Sequence, residues 1–334
     1  MLDAMMLLAF LLFLDQSLAA HRGSDNEICM IEVSKLRYQL QRLQNGFLLG
    51  AWRLEKLKRF NPHWIKENSK TEKNEEDTEL QSNASHQFAY HRDCSDIFNN
   101  GKITSGYYRI KPKAIAEPFL AYCDMSDGGG WTVIQRRSNG KVNFNRDWDD
   151  YKSGFGTFQK RKDEYWLGNE KIHQILAAGK YVLKIDLTDW NGERRYATYE
   201  RFSIADEKDK YRLTFGTYDG NAGDALAGGS NPEVQWSASH SGMQFSTSDQ
   251  DNDKYLQGSC SHESKSGWWF NRCHCANLNG KYYRHGNYTG KYDNGILWYT
   301  WTGWWYSLKF TAMKVRPLYF FPSAGSGDYD NKIG

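Results

Sequence analysis

The chain has 334 residues, 43 of them basic and 40 acidic, for a formal net charge of +3. That balance leaves no basic excess to neutralise a run of phosphates, so it excludes nucleic acid as the main partner. Aromatic residues make up 15 % of the chain, including 13 tryptophans, and predict a core or a binding surface built from large rings.

Ala4 to Leu14 is one apolar run, too short to span a bilayer. Ser17, Leu18 and Ala19 follow, with small residues at the spacing a signal peptidase reads, although Asp3 stands where a basic flank is usual. The expectation is a cleaved signal peptide over 1–19; the other reading is an N-terminal anchor. No later segment is apolar enough for a membrane span, so no membrane insertion is expected. The mature chain is read as secreted and extracellular, where cysteines pair.

Val33, Leu36, Leu40, Leu43, Phe47, Leu54 and Leu57 fall at alternating steps of three and four, with Gly50 at the missing position. The pattern predicts a short coiled coil over 29–60. It is weakened by Gly46 and Gly50, each costing roughly 1 kcal/mol of helix. Cys29, ahead of the seam, is the candidate for an interchain disulfide in a homo-oligomer. A lone amphipathic helix is the other reading. Asn61-Pro62 ends the pattern, and 61–89 reads as a flexible polar stalk. Asn83 there opens a glycosylation sequon.

From about Tyr90 the texture changes. Tyr107 to Ile110, Trp131 to Ile134, Tyr181 to Ile185 and Tyr211 to Phe215 are short, β-branched and aromatic, bounded by Gly- and Asp-rich turns. Glu164 to Leu176 carries apolar residues at helical spacing. These elements predict one α+β domain over 90–318, followed by a flexible tail over 319–334.

The three glycines at 128–130 precede a strand, the wrong order for a phosphate loop, and read as a tight turn. No local signature sets a nucleophile beside a base, so a non-enzymatic protein is expected. Asp249, Asp251 and Asp253 alternate, as calcium-ligating carboxylates do, but Lys254 and Cys260 stand where an EF-hand needs Gly and Glu. A calcium turn and a solvated acidic turn remain open. Cys273, His274 and Cys275 are adjacent, and consecutive residues reach one tetrahedral zinc poorly. Secretion and a nearby Cys260 favour a structural bridge in this cluster. Six cysteines allow 15 complete pairings, so counting fixes none.

Eight stretches carry a resemblance: CSDIFNNG at 94–101, YCDMSDGGGWTVIQRR at 122–137, FNRDWDDYKSGFG at 144–156, EYWLGN at 164–169, FSTSDQDND at 245–253, SGWWFNRCHCANLNGKYY at 266–283, NGILWYTW at 294–301 and MKVRP at 313–317. Over Asp93 to Pro317 the chain resembles the fibrinogen-related proteins. The resemblance implies a fibrinogen C-terminal-like globular domain: a mixed, mainly antiparallel sheet, short helices, and a loop-rich subdomain for ligand and calcium. It implies disulfides Cys94–Cys123 and Cys260–Cys273, with Cys275 left as a buried thiol or as a competitor for Cys260. It implies calcium on Asp251 and Asp253, completed by carbonyls near Tyr255 and Gly258. It implies a cis bond between Arg272 and Cys273, aiming His274 into a pocket with Glu263, Tyr292, Asp293 and Trp304.

Ser264 replaces a carboxylate that fibrinogen uses for the arginine of its knob peptide, and Trp304 replaces an arginine. Two acids beside a histidine, with aromatic walls, suggest a site for a cationic or amine-bearing group. A relic pocket is the other reading, and a glycan on the sequon at Asn287 would sit near it. The resemblance therefore implies a calcium-stabilised, hepatokine-like ligand of cell-surface receptor proteins. The alternative is an innate-immune lectin of ficolin or tachylectin type that binds acetylated sugars.

Overall fold

The computed structural model describes residues 90–229 and 232–320, which belong to one unit, 86–334. The expected signal peptide, the coiled coil with Cys29, the stalk up to residue 89 with Asn83, and the tail beyond residue 320 lie outside the described residues.

Strands Gly106–Ile110 (β1), Phe119–Asp124 (β2), Trp131–Arg137 (β3), Phe155–Gly156 (β4), Tyr165–Trp166 (β5), Tyr181–Thr188 (β6), Arg194–Ile204 (β7), Leu213–Thr214 (β8) and Tyr218–Gly220 (β9) share a ten-stranded sheet with the last strand of the chain. Two short strands, Ala276–Asn277 (β10) and Leu297–Trp298 (β11), pair separately before Phe310–Pro317 (β12) returns to the main sheet. The central order is β1-β2-β3-β12-β6-β7-β8. Every pairing between these strands is antiparallel. β6 shows why the pattern folds this way: Tyr181, Leu183, Ile185 and Leu187 are buried and the residues between them are half-exposed. That is the period of two of a strand with one packed face.

The helices are short: Cys94–Asn99 (α1), Trp148–Ser153 (α2), Asn169–Leu176 (α3), Pro232–Ala238 (α4), Cys260–Ser264 (α5) and Tyr299–Thr302 (α6). Asp93 caps α1, accepting from the Ser95 and Asp96 amides, as an N-cap carboxylate should. The helix expected over 164–176 is a correction: only 169–176 is helical. Tyr165 and Trp166 instead pair with Arg136 and Gln135 of β3, and Gly168, at φ 110, breaks the helical path. The strand expected over 211–215 shrinks to β8 because Lys210 and Tyr211 take left-handed φ of 54 and 49.

The rings answer the composition. Trp166, Trp268, Trp269, Tyr151, Tyr211 and Phe245 are fully buried. Trp268 and Trp269 meet edge-on at 5.1 Å, and Phe245 meets Trp269 at the same distance. The tryptophans of the 266–283 motif are therefore core, and the segment around them has few strands of its own. Aromatic packing and a disulfide hold it where hydrogen-bonded ladders do not.

Candidate recognition and cation site

Cys94 is bonded to Cys123 and Cys260 to Cys273. The second bond joins α5 to the aromatic loop across a sequence separation of 13. A loop of that order contributes roughly 3 kcal/mol in the chain-entropy account. The peptide between Arg272 and Cys273 is cis. It is clasped from behind by α4: the Arg272 amide donates to Ser237 O at 2.7 Å, and the Asn271 side chain donates to Trp236 O and Ser239 O. The Arg272 guanidinium lies over the exposed Trp236 ring at 5.2 Å.

His274 follows, 4 % exposed, with an Nδ1 that meets no partner among the described residues. Burial lowers its pKa, and the Asp293 charge opposes that fall. An imidazole held neutral beside a carboxylate can give or accept one hydrogen bond to a ligand. Tyr292 and Asp293 are half-buried, as is Trp304, whose ring stacks on Tyr299 at 3.9 Å. Tyr288 donates its O–H to Trp304 O at 2.7 Å, and burial, with a smaller push from Asp293, raises its pKa. Glu263 faces another way. Its Oε1 lies against Gly258, and its charge acts on Lys291, whose ammonium sits over the Tyr292 ring at 4.9 Å. No hydrogen bond or ion pair among the described residues joins Glu263 or Trp304 to His274. Asp293 thus lies near enough for its charge to act on both His274 and Tyr288, and Tyr288 is bonded to Trp304, while Glu263 lies near Gly258 and Lys291.

In that turn the Asp253 carboxylate accepts from the Tyr255 and Cys260 amides, both at 2.7 Å. It thus holds the first amide of α5, whose N-cap is Ser259 and from which Glu263 projects. Its pKa is pushed up to about 6, by burial first and then by nearby Asp251. Two carboxylates that repel this way fit a hard cation, with the carbonyls of Tyr255 and Gly258 as further oxygens. Asp249 does not join them: it accepts from the Trp148 amide and from Thr247 Oγ1, at 3.0 and 2.7 Å. Among the described residues no group of three or more His, Cys, Asp or Glu side chains could hold a metal, so the rest of a cation shell would be carbonyl and water.

The Cys275 thiol is buried and its pKa is pushed up to about 12 by burial. Asn287 is exposed, and its backbone bridges Tyr306. One residue of the site has no signal in the sequence. His240 lies buried behind the loop, with Nδ1 2.7 Å from Trp269 O while Nε2 accepts from the Cys275 and Ala276 amides at 3.3 and 3.1 Å. It holds the two residues after His274 in place. A lone histidine between serines carries no spacing that would mark it.

Comparison with known proteins places the fold. The family of fibrinogen beta and gamma chains, C-terminal globular domain, matches residues 90–318. Fibrinogen-like protein 1 (hepassocin) of Homo sapiens is 51 % identical over 297 residues, covering 89 % of this chain and 92 % of that protein. The fibrinogen gamma chain of Homo sapiens is 47 % identical over 240 residues, covering 68 % of this chain and 53 % of its own. Among solved structures, a lamprey fibrin D-dimer complexed with the peptide Gly-His-Arg-Pro-amide superposes with a TM-score of 0.68 at 40 % identity, covering 92 % of this chain and 96 % of that one. The fibrinogen-like globe domain of human ANGPTL2 gives 0.63 at 42 %, covering 68 % and 99 %. The chain belongs to the fibrinogen C-terminal globular domain family.

Proposed function

We propose that the chain is a secreted, non-enzymatic recognition protein, a hepatokine-like ligand that presents its fibrinogen-like domain to cell-surface receptor proteins. The observation that carries this reading is the buried His274, with a free Nδ1 beside Asp293 and an aromatic wall. Such a cleft suits an amine or cationic side chain on a protein partner: the carboxylate supplies charge, the imidazole a hydrogen bond, and the rings exclude water. The peptide in the lamprey fibrin complex, which begins with glycine, supports a site for an amine-bearing group.

Calcium is proposed on Asp251 and Asp253 with the Tyr255 and Gly258 carbonyls. There the ion would neutralise the two acids and fix the turn that caps α5. An N-terminal coiled coil locked through Cys29 would cluster the heads, so that a weak contact gains avidity.

The test is binding of the labelled full-length chain to receptor-bearing cells. Asp293→Asn keeps the shape and removes the charge, and is expected to weaken binding about tenfold, in line with the loss of one charge-assisted contact. Binding unchanged by Asp293→Asn would contradict the assignment of the cleft. Calcium-dependent retention on acetyl-agarose with elution by acetate would favour the lectin reading.

A further inference from the structure

One end of the main sheet gathers basic residues that have no ion-pair partner among the described residues. β3 ends at Arg137, which pairs with Thr311 near the start of β12, and Thr311 pairs with Leu187 near the end of β6. The loops that leave this end are sewn to one another. Ser138 Oγ and Asn139 Nδ2 both donate to Lys162 O, at 2.5 and 3.2 Å. Tyr282 donates its O–H to Lys309 O at 2.8 Å and to Ser138 O at 3.3 Å. Tyr282 also packs edge-on against Trp190 at 5.9 Å, and Lys309 Nζ lies over the Trp190 ring at 5.7 Å. Arg284 is close enough for its charge to act on the Tyr282 hydroxyl. Lys141, Arg161, Lys162, Arg284 and Lys309 stand along this seam, all exposed.

None of these five cations has an ion-pair partner among the described residues. The carboxylates at the same end are all engaged. Asp163 accepts from the Gln159 and Lys160 amides of its own turn. Glu164 is buried, bound to the amides of Ser138, Asn139, Gly140 and Val142 and facing Arg137. Asp189 is buried and accepts from the Glu193 amide, while Glu193 pairs with Arg195. The seam is therefore a run of unpaired positive charge set on a rigid, hydrogen-bonded base with two aromatic rings, in a chain whose overall charge is close to balanced.

We propose that this seam binds a linear sulfated polysaccharide. The cations lie on four loops rather than around one pocket, which fits a chain of repeated anions better than a single anionic group. Lysine ammoniums on flexible stems pair with sulfates as point charges, without demanding the planar geometry of a carboxylate. The half-buried Trp190 and Tyr282 rings offer faces on which sugar rings can rest. None of the five cations is a residue of the His274 cleft or of the acidic turn, so heparin affinity tests the proposal apart from the receptor reading.

The experiment is salt elution of the full-length chain from immobilised heparin, with affinity for a heparin oligosaccharide measured at physiological salt. The variant carries Lys141→Ser, Lys162→Ser, Arg284→Ser and Lys309→Ser. A control carries Lys102→Ser, Lys113→Ser, Lys180→Ser and Lys208→Ser, four exposed lysines outside the seam. Thermal unfolding confirms that both fold. The seam variant is expected to elute at lower salt and to lose about tenfold or more in affinity, because binding by counterion release scales with the number of cations engaged. The control is expected to keep most of its affinity. Equal losses in both variants, or no retention of the unaltered chain, would overturn the proposal. Equal binding of polyglutamate would also overturn it, and would mark the seam as a site for acidic protein.

Discussion

His240 lies just beyond α4, with the Trp268 ring edge-on to its imidazole at 6.1 Å, and it stays neutral there. A ring whose Nδ1 faces a carbonyl while its Nε2 accepts two amides can hold only one proton. Burial accordingly takes its pKa from 6.5 down to about 3. Because the folded value lies below the unfolded one, protonation favours the unfolded chain. The stability it lends is complete above about pH 6.5 and is lost as pH falls toward the folded value. His240→Gln should therefore show a shallower fall in Tm between pH 7 and pH 5 than the unaltered chain. Identical slopes would show that this ring does not titrate on unfolding. At the same scale, His274 differs by its missing partner: one imidazole is fully bonded, while the buried Nδ1 of the other meets no partner among the described residues.

Among elements, the turn after β3 depends on one buried acid. Glu164 Oε1 accepts from three amides at 2.9 to 3.1 Å, and Oε2 accepts from Val142 at 3.0 Å. It also faces Arg137, which is buried on β3, stacked on Phe144 at 3.9 Å and hydrogen-bonded to Gly280 O. Arg137 therefore ties the sheet to the loop that carries the site. Glu164→Gln leaves the guanidinium without its counter-charge, and such losses cost about 3–5 kcal/mol. Urea denaturation should show a drop of that order; a change below about 1 kcal/mol would mean that the Gly280 and Leu278 carbonyls suffice for Arg137. The same acid explains why helical spacing over 164–176 misled. The spacing of Tyr165 and Trp166 fits a helix, but the carboxylate before them is committed to the turn, and the two rings face the sheet.

For the whole molecule, the motifs around the cysteines and the SGWWF run were legible because each is dense and local. β7 was not. Its inward residues Ala197, Tyr199, Phe202 and Ile204 lose their alternation where Arg201, at φ 52, inserts a bulge, so that Glu200 and Arg201 fall together between inward residues. Asp249 was read with Asp251 and Asp253 because alternation cannot tell which carboxylate a distant helix will take. Assembly is a separate question, carried by residues outside the described ones. If Cys29 links chains, the full-length protein should run as a multimer on a nonreducing gel and as one chain after reduction; one band in both lanes, with monomeric native sizing, would contradict the clustering. We propose that Asp251 and Asp253 hold an ion that fixes the start of α5. The most direct measurement is Tm with calcium and with chelator, for the unaltered chain and for Asp251→Ala with Asp253→Ala. A calcium-dependent rise in the first that is absent in the second is the predicted result, and an equal Tm difference between the two proteins in both buffers would contradict it.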